Sequence, residues 1–174
     1  MTNKGKAVID CGATKSLGGI NALEKLAKRN ARKYGETRMA LDLEDCPTFT
    51  FGNGRRAKVN GRATFEIEEN GNGCTIDIHG LDAKGVPILV SIDTLARMGA
   101  VIDFKTGRAI YQELRPTQIV QLERSTTGHL LMDLAEDLYK DSISPGPADT
   151  PLLRLARGSS TGNSSSSHAG TAES

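Results

Sequence analysis

The sequence predicts a mainly β domain, and three features point to it. Short β-branched and aromatic runs, such as Phe49-Thr50-Phe51 and Ile88-Leu89-Val90, recur along the chain. Between them stand Gly52-Asn53-Gly54, Asn60-Gly61 and Asn70-Gly71-Asn72-Gly73, which are the turn residues of hairpins. One longer segment carries helical periodicity, and the C-terminal stretch follows neither pattern.

In chain order, Ala7-Val8-Ile9 reads as a buried strand. Residues 21–34 place Leu23, Leu26, Ala27 and Tyr34 on one helical stripe, with Asn21 as N-cap and Gly35 as the stop. The other faces of that helix carry Lys25, Lys28, Arg29, Arg32 and Lys33. They read as a solvated face that suits a helix C-terminus, and a nucleic-acid partner is not expected. Strands are predicted at 49–51, 63–68, 75–78 and 88–90, followed by a short helix at 92–98. Residues 101–104 and 109–111 then pair across Lys105-Thr106-Gly107. A last hairpin, 120–122 with 130–134, is expected to turn at Thr126-Thr127-Gly128.

At 174 residues the chain has room for one domain of ordinary size. Lys and Arg number 22 against 21 Asp and Glu, a formal charge of +1, so overall charge announces no polyanionic partner. The three cysteines, Cys11, Cys46 and Cys74, are too far apart for zinc-ligand pairs and odd in number, which fits thiols in a reducing compartment. No stretch approaches the roughly 18 apolar residues of a membrane span. The expectation is a soluble, cytoplasmic protein with no membrane partner. A folded domain is expected over 7–135. From Ser142 onward, Pro145, Pro147 and Pro151 precede a Ser-rich run, so residues 142–174 are expected to form a disordered tail. Within it, Leu152-Leu153-Arg154-Leu155-Ala156 reads as a frayed apolar patch or a weakly docking motif.

The chemistry centres on Val8-Ile9-Asp10-Cys11-Gly12-Ala13-Thr14. An acid directly after a buried apolar strand is costly unless it is hydrogen-bonded or functional. The Asp-x-Gly triplet alone is also what an ordinary turn contains, and a strand-capping Asp is the bland reading. A second stretch adds weight to the functional one: Ile88-Leu89-Val90-Ser91-Ile92-Asp93-Thr94-Leu95, then Gly99-Ala100-Val101-Ile102-Asp103-Phe104.

Together, over roughly residues 7–111, these two motifs resemble the retropepsin-like aspartic peptidases of retroviruses and long-terminal-repeat retrotransposons, including copia-like polyprotein proteases. That family has an apolar strand, Asp-Thr/Ser-Gly-Ala, a flap hairpin, and an apolar-apolar-Gly strand entering a short helix. The resemblance implies an acid-protease half-barrel, with the longer helix after the catalytic loop and the short one after the second apolar strand. It implies that Asp10 is the catalytic carboxylate and that Cys11, Gly12, Ala13 and Thr14 form the active-site loop. Leu89, Val90 and Ser91 would be the supporting element, and Phe51, Gly52, Asn53 and Gly54 would lie in the flap. Because only one Asp-x-Gly triplet occurs, the second carboxylate must come from a second chain, so a homodimer hydrolysing a peptide or polyprotein substrate is expected. Neither a metal nor another cofactor is implied, since carboxylates activate the water.

Two residues depart from the family pattern. Cys11 stands where the family has Thr or Ser, and a thiol is the weaker hydrogen-bonding group. Ser91 stands where the family has Gly, and its side chain is expected to crowd the loop. These changes leave a second reading open: a catalytically inactive dimerisation or peptide-binding module, or a transposon remnant. The 120–134 hairpin is an expected contributor to the dimer interface. Cys11 with His79 or His129 as a nucleophile and base, and a metal near Asp77, His79 and Asp82, are weaker alternatives to a surface histidine and an ordinary turn.

Overall fold

The computed structural model describes residues 5–51, 53–69 and 72–158. Strand β1 (Lys6–Asp10) leads through a loop to β2 (Leu17–Gly19), which runs directly into helix α1 (Ile20–Tyr34). Strands β3 (Met39–Asp42), β4 (Thr48–Thr50), β5 (Arg56–Glu69) and β6 (Asn72–Leu81) follow. Strand β7 (Leu89–Ser91) enters helix α2 (Ile92–Arg97), and β8 (Ala100–Asp103) and β9 (Arg108–Tyr111) make the next hairpin. The chain continues through β10 (Ile119–Gln121), β11 (Glu123–Arg124), β12 (Leu130–Asp133) and β13 (Ser142–Ile143). A 3-10 turn (Pro147–Asp149) and helix α3 (Thr150–Gly158) complete it. The architecture is mainly β, as the residue pattern predicts.

Alternation along β5 shows why the strands form a sheet: Val59, Ala63, Phe65 and Ile67 point into the core while their neighbours face out. Opposite them, Ile76 and Ile78 of β6 are equally buried. Between Val59 and Arg62 the register slips at Gly61, where φ is 141° and a Cβ would stand 2.9 Å from the Asp42 carbonyl oxygen. A side chain has no room there, so the bulge needs glycine. Among the described residues, one sheet runs β11-β12-β1-β7-β2-β6-β5-β3, with β4 pairing β5 off that path. Helix α1 seals this sheet with Leu23, Leu26 and Ala27. By area, each of the two buried leucines contributes about 1.5–3 kcal/mol.

The order β1-β7-β2 positions the site. β1 and β2 are consecutive in the chain, yet β7 lies between them, parallel to β1 and antiparallel to β2. The loop joining β1 to β2 therefore has to arch over the end of β7, where α2 begins.

Three expectations are corrected. Helix α1 begins at Ile20 with Gly19 at the cap and no side-chain cap bond, so Asn21 is not the N-cap. Strand β2 feeds the helix without a loop, and the geometry of the strand exit places the first turn. Asn30 adds a buried polar position to the predicted stripe, and Tyr34 at its end is half-buried with its hydroxyl donating to Glu68 Oε2 at 2.8 Å. The 120–122 segment does not pair with 130–134. β10 instead joins β9 and β13 in a second sheet of order β13-β10-β9-β8, while β12 pairs with β11 and β1. Leu130, Leu131 and Met132 are consequently buried within the same chain.

The third concerns the tail, which is structured over 142–158. Leu152 and Ala156 of α3 bury against Ile110 and Ile119 of the second sheet. Asp149 accepts the Gly146 N–H at 2.8 Å and pairs with Arg108, and Gln112 donates to the Ala156 carbonyl. These partners are distant in sequence, so local composition does not announce them. Residues 159–174 lie outside the described residues.

Candidate active site

Ala7, Val8 and Ile9 are buried and flanked by β12 and β7, which carries Asp10 to the rim of the sheet, half-exposed and opposite Ser91 in register. Its Oδ1 accepts the Gly12 N–H at 2.9 Å. A Cβ at Gly12 would lie 3.2 Å from that same oxygen, so a side chain would press on the carboxylate as it is oriented. The Ala13 N–H donates to the Asp10 carbonyl at 3.2 Å, and the Ala13 carbonyl accepts the Ile92 N–H at 2.9 Å. The loop is thereby tied both to its own strand and to the start of α2. Cys11 and Thr14 are exposed beside Asp10, and Ile92 is 41% exposed.

Beneath the loop lies a buried hydroxyl cluster that connects the two motifs. Ser16 Oγ accepts the Ser91 N–H at 3.0 Å and stands 2.8 Å from Thr94 Oγ1 and 3.2 Å from Ser91 Oγ. Ser91 Oγ in turn accepts the Thr94 N–H at 3.3 Å and caps α2. The Ser91 side chain, expected to crowd the loop, is absorbed by these partners at 1% exposure. Leu89 is half-buried and Val90 fully buried on the same strand. Ser16 and Thr94 carry no functional expectation in the sequence alone. Nothing local distinguishes Ser16 from a turn serine or marks Thr94 as its partner.

His79 is buried, not on the surface, with its Nδ1 3.3 Å from the Ser16 carbonyl and its Nε2 3.5 Å from Asp45 Oδ2. Its ring packs edge-on against Phe49 at 5.7 Å. His79 thus links the loop between β1 and β2 to the segment before β4. His129 is exposed in the β11–β12 turn. Among the described residues, no group of three His, Cys, Asp or Glu side chains is placed to hold a metal ion. A cavity of about 490 Å³ lies behind the loop, lined by Thr14, Ser16, Asp45, His79 and Asp93 but not by Asp10. Asp103, at the end of β8, accepts the Lys105 and Thr106 N–H groups, and bonding to Thr106 and Lys105 holds its carboxyl below the usual range. It serves a turn and lies on a different sheet from Asp10.

The tip of the β4–β5 hairpin falls on the residues assigned to the flap. The Phe51 N–H donates to the Arg55 carbonyl and the Gly54 N–H to the Phe51 carbonyl, both at 2.8 Å. Asn53 Oδ1 accepts the Arg55 N–H at 3.0 Å. Phe51 is 37% exposed, and Gly52 lies outside the described residues.

No protein-family model matches the sequence, and no curated protein matches it. Among solved structures, the chain is similar to the retroviral protease-like domain of Ddi1 from Leishmania major. The TM-score is 0.43 and the identity 18%, over 60% of this chain and 76% of that chain. No helix of the described residues is long and apolar enough to cross a membrane.

Proposed function

We propose that two copies of this chain form an aspartic endopeptidase, each contributing Asp10 to one site on a twofold axis. The observation that carries the reading is the placement of Asp10. It is a half-exposed carboxylate at the end of a buried strand, aimed by the Gly12 N–H and seated over β7, inserted between the strands that flank its loop. This arrangement resembles the retropepsin-like site that the two sequence motifs imply.

Two carboxylates about 3 Å apart cannot both ionise, and in aspartic proteases as a class they share one proton. The charged member takes a proton from water as it attacks the scissile carbonyl, and the neutral member donates to the carbonyl oxygen. The β4–β5 hairpin with Phe51, Asn53 and Gly54 is the element suited to closing over an extended peptide. Cys11 and Ile92, exposed beside Asp10, are the residues suited to meeting their copies across the axis. A polyprotein substrate and a retrotransposon origin rest on the resemblance of residues 88–104 to that family.

One observation favours a second reading, a retropepsin-like dimerisation or peptide-binding module without hydrolysis. Cys11 offers only a weak thiol where a hydroxyl would brace the paired loops. The deciding experiment incubates the chain with an unfolded protein at mildly acid pH, with and without a statine-type inhibitor. Cleavage that is inhibited and disappears in Asp10→Asn supports the peptidase. A verified dimer that leaves the substrate intact supports the module.

A further inference from the structure

A cavity of about 670 Å³ lies between helix α1 and the segment entering β7, and Asp10 does not line it. Its helix side presents Lys25, Lys28, Arg29 and Arg32, spaced so that they fall on one stripe. No Asp or Glu lines it. Arg29 is committed to Glu136, and Lys6, at the cavity's end, to Glu123 and Asp133. Among the described residues Lys25, Lys28 and Arg32 enter no ion pair, and all three are exposed. Three uncompensated cations along one wall raise the local concentration of anions well beyond what a net charge of +1 suggests.

The opposite wall is apolar. Ala83 and Val86 are half-buried and Pro87 is exposed, and Ala22 completes the floor from the helix. A free phosphate has no use for such a wall. A single-stranded nucleic acid needs aromatic faces for its bases, and no aromatic side chain lines the cavity. A polypeptide that alternates carboxylates with aliphatic side chains satisfies both walls at once. Exposed Asn21, at the same cavity, supplies one donor and one acceptor of the kind a peptide backbone pairs with.

We propose that this groove is a second binding site, which takes an acidic segment with interspersed aliphatic residues from another polypeptide. The site is independent of the peptidase reading.

The test is fluorescence anisotropy of the full chain with a labelled peptide alternating Glu and Leu. A Gln/Leu peptide and a mixed-sequence oligonucleotide serve as competitors. Binding of the Glu/Leu peptide is expected, with the Gln/Leu peptide weaker by about tenfold or more. Affinity should fall as added salt shortens the screening length from about 30 Å at 0.01 M to about 3 Å at 1 M. The triple change Lys25→Glu, Lys28→Glu and Arg32→Glu should weaken binding by about tenfold or more while the far-UV circular dichroism stays that of the folded chain. Lys25→Arg with Lys28→Arg should retain it. Absence of binding, binding that survives the triple change, or an oligonucleotide that displaces the peptide at lower concentration would each overturn the proposal.

Discussion

Ser16 and Ser91 stand 75 positions apart in the chain, yet Ser16 Oγ accepts the Ser91 N–H at 3.0 Å in a buried site. This bond and the Ala13–Ile92 bond above it join the loop after Asp10 to the start of α2. The position of the carboxylate therefore depends on hydroxyls buried beneath its loop.

Removing either hydroxyl should loosen that platform. Ser16→Ala leaves the Ser91 N–H buried without an acceptor, and Ser91→Ala removes the α2 cap. Each should cost about 1–2 kcal/mol in urea unfolding. Because the two share partners, the double variant should cost less than the sum. Additive costs would show that the two hydroxyls act separately.

Cys11 is exposed beside Asp10, whereas Cys46 and Cys74 are half-buried and burial pushes the Cys74 thiol up. Under mild oxidation the proposed dimer should form a Cys11–Cys11 bridge, visible on a non-reducing gel. Cys11→Ser should abolish the bridge and Cys46→Ser should not. A bridge needs Cα atoms within about 7 Å, so a cross-link that persists in Cys11→Ser places the paired loops elsewhere. Cys11→Thr should also raise turnover severalfold by restoring a hydroxyl at the loop contact.

The docked C-terminal helix should be acid-sensitive. The Gly146 N–H, and after it Arg108, hold the buried Asp149 carboxyl below its ordinary value. A depressed folded-state value means that this stability is fully present above the unfolded carboxylate range, about pH 3.9. It is lost as pH falls through the lower folded value. Protection of the α3 amides, taken relative to the intrinsic exchange rate at each pH, should therefore fall as pH drops below about 3.9. In Asp149→Asn, protection over α3 should already be low at neutral pH and should change little with acid. Equal protection in the two proteins would remove Asp149 as the anchor.

Legibility in the sequence followed the range of the causes. Strand β1 and the place of Asp10 were readable because three apolar residues end in an acid and a glycine turn. Helix α1 was readable from its 3.6-residue period, although its start was not, since β2 (Leu17–Gly19) resembles a turn in composition and is a strand only because β6 and β7 flank it. The same holds for 142–158, where Arg108, Ile110 and Ile119 supply the order that prolines and serines lack locally. Ser16, Thr94 and the buried state of His79 were hidden for that reason, because each depends on a partner distant in sequence.

Whether catalysis requires Asp10 from two chains is decided by specific activity across a dilution series, beside sedimentation of the same samples. The proposed dimer predicts that cleavage per chain falls in the concentration range where dimers become monomers. It also predicts that adding excess Asp10→Asn chain depresses wild-type activity by drawing it into mixed dimers. Cleavage that persists undiminished in samples sedimenting as monomers would contradict it.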